Sequence, residues 1–507
     1  MPHPFSRASA LVSSQENRLR TLQLSCLTIS CALILLYLYL NTSLGWIAIF
    51  YARDYIVLFG AAFFALSLTR PSFWSDRRGW FLCLVPVIWF LISESFLFLD
   101  GQMREDPSLF FSMYLLAYPF AAGAEDGDRR KGLVLAGGFY LCYTLFQTIR
   151  VLLCLLDFLP GFPLTGVTWD GSRLYLLYHP NISGCVLMLG VGIALIFGFR
   201  SHGLRGKILW WLAAVVQLIP LALTNSRTIV LLTGGLLGAT LFFSQLGRSP
   251  KRLLLSLVIG LAFVPLFFTL SKSLYDWHTA RLISYYQAQA VTEAREAADS
   301  AETSSQDSEA PLENPLLSDK NQEGSSEEDP EEGTSQPDSP IVVDPNTGEV
   351  SLQTMTTSGQ GSLKENFSSF NGRTRIWEAV IRTVFQTPSI ALFGCDSVMS
   401  HLEAHTGILA HAHNSWLQIL MHRGVIGLLI ALVFTLQALR NALVLLFRRE
   451  SDGVQRSVAL LLLCIMGAAF FEPYLFNAGL DYFSIEFIFF LSAGYLQVWY
   501  RQTRISR

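Results

Sequence analysis

At 507 residues, 51% of them hydrophobic and only 15% charged, the chain carries more apolar surface than a soluble protein of this length can bury, which excludes an ordinary soluble class. The formal net charge is −3, and no nucleic acid is expected among its partners.

Apolar runs long enough to cross a ~30 Å hydrocarbon core as helix occur at about 22–40, 45–68, 80–98, 108–124, 132–154, 182–199, 208–224, 228–246, 253–271, 424–446, 457–475 and 482–499. This predicts an all-α polytopic membrane protein of about 12 transmembrane helices. The first run follows a polar-leaning segment and lacks a small-residue cleavage site, so it reads as a retained span. With the N-terminus inside, alternate connections collect the cations: Arg77 and Arg78, Arg129 to Lys131, Arg200 to Lys207, Arg248 to Arg252, and Arg448 to Arg456. The opposite short loops hold only Arg104, Arg173 and Arg227. The positive-inside bias therefore places both termini in the cytoplasm. Seven of the eight cysteines fall inside apolar runs and only Cys395 lies in the long outer loop, which offers no disulfide framework and no CxxC metal site.

That loop, roughly 272–413, contains an acidic stretch at 291–365 with 18 Asp/Glu against three Lys/Arg. Its composition, poor in aromatic residues, predicts a disordered insertion that cannot offset its ordering entropy by burial. From Phe367 to Leu420 the character changes. Apolar residues at helical spacing after Gly372 and Arg373 suggest an amphipathic helix on the outer face, then a turn near Pro388 and Gly394, then a short helix from Asn414 re-entering the bilayer.

In this region the chain resembles the O-antigen ligase and polymerase superfamily of bacterial integral membrane proteins. The resemblance rests on Asn225-Ser226-Arg227 opening a helix, with Leu231 four residues on; on Gly372-Arg373 ahead of Ile376-Trp377; on His413-Asn414 with Gly424 and Gly427; and on the large outer loop before that histidine. Arg173 with His179-Pro180-Asn181 at the sixth span is also typical. The resemblance implies a GT-C-like, metal-independent, inverting glycosyltransferase with no cofactor and a large extracytoplasmic loop. It would work in the bacterial cytoplasmic membrane with its active site on the outer face. The donor would be an undecaprenyl-pyrophosphate-linked glycan and the acceptor a glycan, lipid or wall polymer. Three parts are expected: an N-terminal bundle of about six spans over 1–207, a ligase-like core over 208–435, and C-terminal helices with a short tail over 436–507. The acidic insertion is a departure that the family core does not require.

The residue chemistry runs the same way. A pyrophosphate leaving group is strongly anionic, and with no outer carboxylate pair of metal-binding type in the sequence, cationic side chains are expected to stabilise it. Arg227 follows Ser226, a candidate N-cap, so a guanidinium and a helix dipole would share one place. Arg373 is a second candidate fork, Arg375 its near alternative, and Arg173 a further donor contact. His413 has the residue type for a general base on the acceptor hydroxyl. Trp377, Asn414, Gly424 and Gly427 are expected to support the site, the glycines as close-packing positions. Three alternatives stand beside this reading. His401, His405, His411 and His413 have metal-ligand spacings. Glu94, Glu472, Asp481 and Glu486 are rim or intramembrane acids suited either to an acceptor site or to helix contacts. Twelve spans also fit a lipid-linked oligosaccharide flippase without chemistry, although such transporters usually show two similar halves.

Overall fold

In the computed structural model, the residues described are 4–43, 77–99, 126–155, 168–170, 173–176, 179–246, 249–306, 341–343, 350–352, 370–407, 411–476 and 483–505, with a few isolated positions between 58 and 66. They are mostly helical. The helices are α1 (Pro4–Ser43), α2 (Arg77–Leu99), α3 (Asp126–Leu155), α4 (Pro180–Arg200), α5 (Leu204–Leu223), α6 (Arg227–Ser244), α7 (Pro250–Gln306), α8 (Phe370–Gln386), α9 (Pro388–Phe393), α10 (Val398–Thr406), α11 (Ser415–Phe447), α12 (Gly453–Ala469) and α13 (Phe483–Ile505). Seven of them are long and apolar enough to cross a membrane, and shorter apolar helices run over Leu84–Leu99 and Gly453–Ala469. The spans expected at 45–68 and 108–124 lie almost wholly outside the described residues.

Helix α4 is apolar all round, as suits a helix buried on every side, and it is the centre of the bundle. It touches α3, α5, α6, α12 and α13. Glycines let neighbouring helices approach. A Cβ on Gly238 of α6 would meet the backbone oxygen of Gly260 on α7, and the reverse holds for Gly260, so the two backbones meet at a small-residue crossing.

The outer-loop region folds onto the start of α11. Ile376, Val380 and Val384 of α8 form a second core with Ile390 of α9, Leu402 of α10 and Leu420 and Met421 of α11. The expected re-entrant helix and the span at 424–446 are one helix broken at Gly424, whose φ of 67° and ψ of −174° interrupt α11. The break is required by packing. A Cβ on Gly424 would lie 2.2 Å from the Leu392 oxygen, and one on Gly394 (φ 84°) 2.1 Å from the His422 oxygen. Each glycine supplies a left-handed conformation and room for the facing backbone at once.

Three features differ from the sequence expectation. The span placed at 457–475 ends as helix at Ala469, so residues 471–476 form an irregular segment. Helix α7 continues to Gln306, into the stretch expected to be disordered from 291. In the same stretch Ile341–Val343 pairs antiparallel with Val350–Leu352, Ile341 opposite Leu352; β-branched residues flank a Pro345-Asn346-Thr347-Gly348 sequence of turn-forming chemistry. The rest of 291–365 lies outside the described residues. By contacts the chain divides into one unit of residues 1–169, 173–274 and 359–507 and a second of 170–172 and 275–358. All that follows concerns the first.

Candidate active site

The irregular segment after α12 carries the centre of the site. Glu472 is 7% exposed and gathers three partners from distant parts of the sequence. Its Oε1 accepts from Arg373 Nη2 at 2.9 Å and from Asn181 Nδ2 at 2.8 Å, and its Oε2 lies 3.2 Å from His413 Nδ1. A buried carboxylate with this many donors is stabilised as the anion. Burial pushes the Glu472 carboxyl up, but the His413 hydrogen bond and the charges of His413, Arg373 and His179 outweigh it and hold the group below the ordinary carboxylate value.

Each partner is held by its own element. Asn181 opens α4 behind His179, whose ring accepts from the Asn181 backbone N–H at 3.2 Å as N-cap. Tyr474 donates its hydroxyl to the Asn181 carbonyl at 2.8 Å, tying α4 back to the Glu472 segment. Arg173 donates from Nη2 to Asn181 Oδ1 at 3.2 Å and from Nε to the Thr224 carbonyl at 3.2 Å, bridging the starts of α4 and α6. Arg373 stands in the first turn of α8, with one face of that helix anchored by buried Ile376 and Val380. Trp377, four residues on and therefore on the same face, donates from its indole to the Ala412 carbonyl at 3.0 Å and pins the residue before His413.

His413 has a left-handed φ of 47°, and Asn225 (49°) and Phe476 (59°) are the other non-glycine residues with positive φ among those described. All three flank this site, and such conformations cost about 1–3 kcal/mol each, a load that gathers where geometry is functionally constrained. Asn414 then caps α11, its Oδ1 accepting from the N–H groups of Trp416 and Leu417 at 2.9 and 3.1 Å. Its Nδ2 donates to the Phe470 carbonyl at 3.0 Å, and Ser415 Oγ donates to the Glu472 carbonyl at 3.0 Å. The α11 start and the Glu472 segment are thus stitched together on both sides of the His–Glu contact.

The structure separates the two candidate arginines of the loop helix. Arg373 points to Glu472, whereas Arg375, about 200° further round at ~100° per residue, is exposed and has no hydrogen-bond or ion-pair partner among the described residues. Arg227 begins α6 and is likewise exposed without such a partner among the described residues. Ser226 stands at the N-cap position, but its side chain caps nothing, contrary to expectation. It is buried instead against α4, where a Cβ on Gly184 would reach the Ser226 Cβ at 3.4 Å. The start of α6 therefore sits one turn from Asn181. Gly424 acts through its backbone conformation as well as its size, and a Cβ on Gly427 would meet the Arg423 side chain.

The side chain of His405 lies outside those described, and among the described residues no three His, Cys, Asp or Glu side chains converge on a common point. His401 lies 3.3 Å from Asp396 while His413 faces Glu472. His411 keeps surface exposure yet is crowded by neighbouring chain. That crowding and the His413 charge lower its pKa, with Glu472 opposing.

Of the four acids singled out in the sequence, Glu472 belongs to the site and Glu94 does not. Glu94 of α2 pairs with buried Arg423 of α11, whose guanidinium also stacks over Phe90 at 4.5 Å. Asp481 lies outside the described residues, and Glu486 is buried on α13. The sequence offers Glu472 for an acceptor site or a helix contact but not as the partner of His413 and Arg373, because the apolar run continues through it; the Glu472-Pro473 pair, which disfavours helix at position 472, is the available signal.

Residues 212–432 match the family model described as O-Antigen ligase. No curated protein matches the chain.

Proposed function

We propose that the chain, whose residues 212–432 match the O-antigen ligase family model, transfers or polymerises a glycan from an undecaprenyl-pyrophosphate-linked donor onto a hydroxyl acceptor at the outer face of the cytoplasmic membrane. The observation that carries this reading is the Glu472 junction, which ties a potential base, His413, to a potential phosphate ligand, Arg373, through one carboxylate.

With Glu472 accepting from Nδ1–H of His413, the Nε2 lone pair is left to take a proton. Nε2 removes the acceptor hydroxyl proton as that oxygen attacks the anomeric carbon. The bond from that carbon to the pyrophosphate oxygen breaks on the opposite side, and the anomeric configuration inverts. The electron pair leaves on the pyrophosphate, where Arg373 and Arg227 meet the charge. Arg373 gives Glu472 a single N–H among the described residues, so most of its five donors remain for phosphate oxygens. Arg227 adds a guanidinium at a helix start, where the dipole is positive. Arg173 is already spent on Asn181 and the Thr224 carbonyl, which suits positioning as well as donor contact.

The test is a transfer assay with defined lipid-linked oligosaccharides in membranes with and without this chain. A ladder of products supports a polymerase, a single transferred block a ligase, and unchanged lipid with altered sidedness a flippase. His413→Ala is expected to abolish transfer while leaving donor binding, and Arg227→Ala to weaken both. Chelators should change neither; loss of transfer restored by zinc would overturn the metal-independent scheme.

A further inference from the structure

A cavity of about 440 Å³ opens at the end of the bundle opposite the candidate active site, where α4 and α13 finish and α3 and α12 begin. The length of α4, 21 residues at ~1.5 Å each, separates the two by about 30 Å. It is lined by Arg130, Arg200 and His202 together with the apolar and aromatic side chains of Leu133, Phe199 and Trp499.

Among the described lining residues two guanidiniums, those of Arg130 and Arg200, face one carboxylate, that of Asp452. That carboxylate accepts from the Gln455 N–H at 2.8 Å as the cap of α12, Gln455 returning a bond to the Asp452 backbone, and the lining keeps a net positive charge among the described residues. Among the described residues neither Arg130 nor Arg200 forms an ion pair with a carboxylate. Arg200 instead donates to the Arg130 carbonyl at 3.1 Å, which ties the end of α4 to the start of α3 and holds its guanidinium at the cavity.

We infer that this cavity is a binding site for the headgroup of an anionic phospholipid, with Arg130 and Arg200 on the phosphate and with Leu133, Phe199 and Trp499 against the glycerol and first acyl carbons. Three features favour a lipid over a free anion. The walls are half apolar, which a hydrated phosphate does not use. An indole at the end of a membrane helix sits at headgroup depth. Basic pockets between transmembrane helices are also a recurrent form of lipid-headgroup site. Such a lipid would brace α3, α4, α12 and α13 together at the end remote from the chemistry.

The test uses the purified full chain in detergent with phosphatidylglycerol, phosphatidylcholine or inorganic phosphate as probes, reading retained lipid by native mass spectrometry and thermal stabilisation in parallel. Phosphatidylglycerol is expected to bind roughly tenfold or more tightly than phosphatidylcholine, given the attraction per basic residue near a membrane surface. R130Q/R200Q should lose that preference, and the equally charge-depleted R205Q/K207Q, on the same rim but outside the cavity, should keep it. Should R130Q/R200Q fold poorly, L133W fills the cavity with its charges intact and should also lose it. Equal retention of both lipids, or equal loss in the two double variants, would mean general attraction to a basic rim and would overturn the site. Full displacement by millimolar inorganic phosphate would overturn the lipid assignment in favour of a soluble anion.

Discussion

Replacing Glu472 with glutamine should stop transfer by reversing the tautomer of His413. Oε2 of Glu472 lies 3.2 Å from Nδ1, and in the proposed mechanism it accepts a hydrogen bond from Nδ1–H and leaves Nε2 as the base. Arg373 and Asn181 both donate to the other oxygen, Oε1. A glutamine therefore keeps its carbonyl toward them and turns its NH2 to His413. An amide donor there makes Nδ1 the acceptor, puts the proton on Nε2 and removes the base, with little change in shape. Loss of an orienting carboxylate behind a catalytic histidine can cost up to about 10⁴ in kcat, or about 5.5 kcal/mol at ~1.4 kcal/mol per factor of ten. Because Arg373 stays in place, donor KM should change much less than kcat. The assay is single-turnover transfer from a lipid-linked donor, with thermal unfolding to confirm that the variant is folded. A folded E472Q chain turning over within threefold of wild type, while H413A is inactive, would refute the orienting role.

The two loop arginines should separate cleanly. R373A is expected to lose about 10²–10³ in rate, the usual cost of one preorganised donor, whereas R375A should stay within a few-fold in the same assay. G424A should lower stability by roughly 2–4 kcal/mol, since it combines a left-handed φ with overpacking against the Leu392 carbonyl; thermal unfolding in detergent reads this directly. Acid should erase the contribution of Glu472 to folding. Its folded pKa lies below the ordinary 4.5, so its stabilisation is complete above that value and disappears as pH falls through the folded one. The gap in melting temperature between wild type and E472Q should therefore narrow below pH 4.5, and a gap that widens there would contradict the ion pairing.

The linear sequence determined what depends on local pattern. Uninterrupted apolar runs specify membrane-length helices because every backbone polar group must be satisfied inside the segment. The spacing of Arg373, Ile376 and Trp377 specifies one helix face, with the apolar residue against the core and the polar ones toward the His413 loop. Asn414 two and three residues before the amides it caps reads directly as a helix start. The tertiary structure decided which of these local pieces meet. Nothing local ties Asn181, Arg373 and His413 to Glu472, which lies 291, 99 and 59 residues away. Hydropathy ran the α12 span through position 475 because a single acid barely lowers the mean over such a window, whereas the helix stops at Ala469 and turns Glu472 inward. The choice of Arg373 over Arg375 has the same origin. Both are loop cations in sequence, and only the packing of α8 against α9, α10 and α11 sets which guanidinium faces the buried carboxylate.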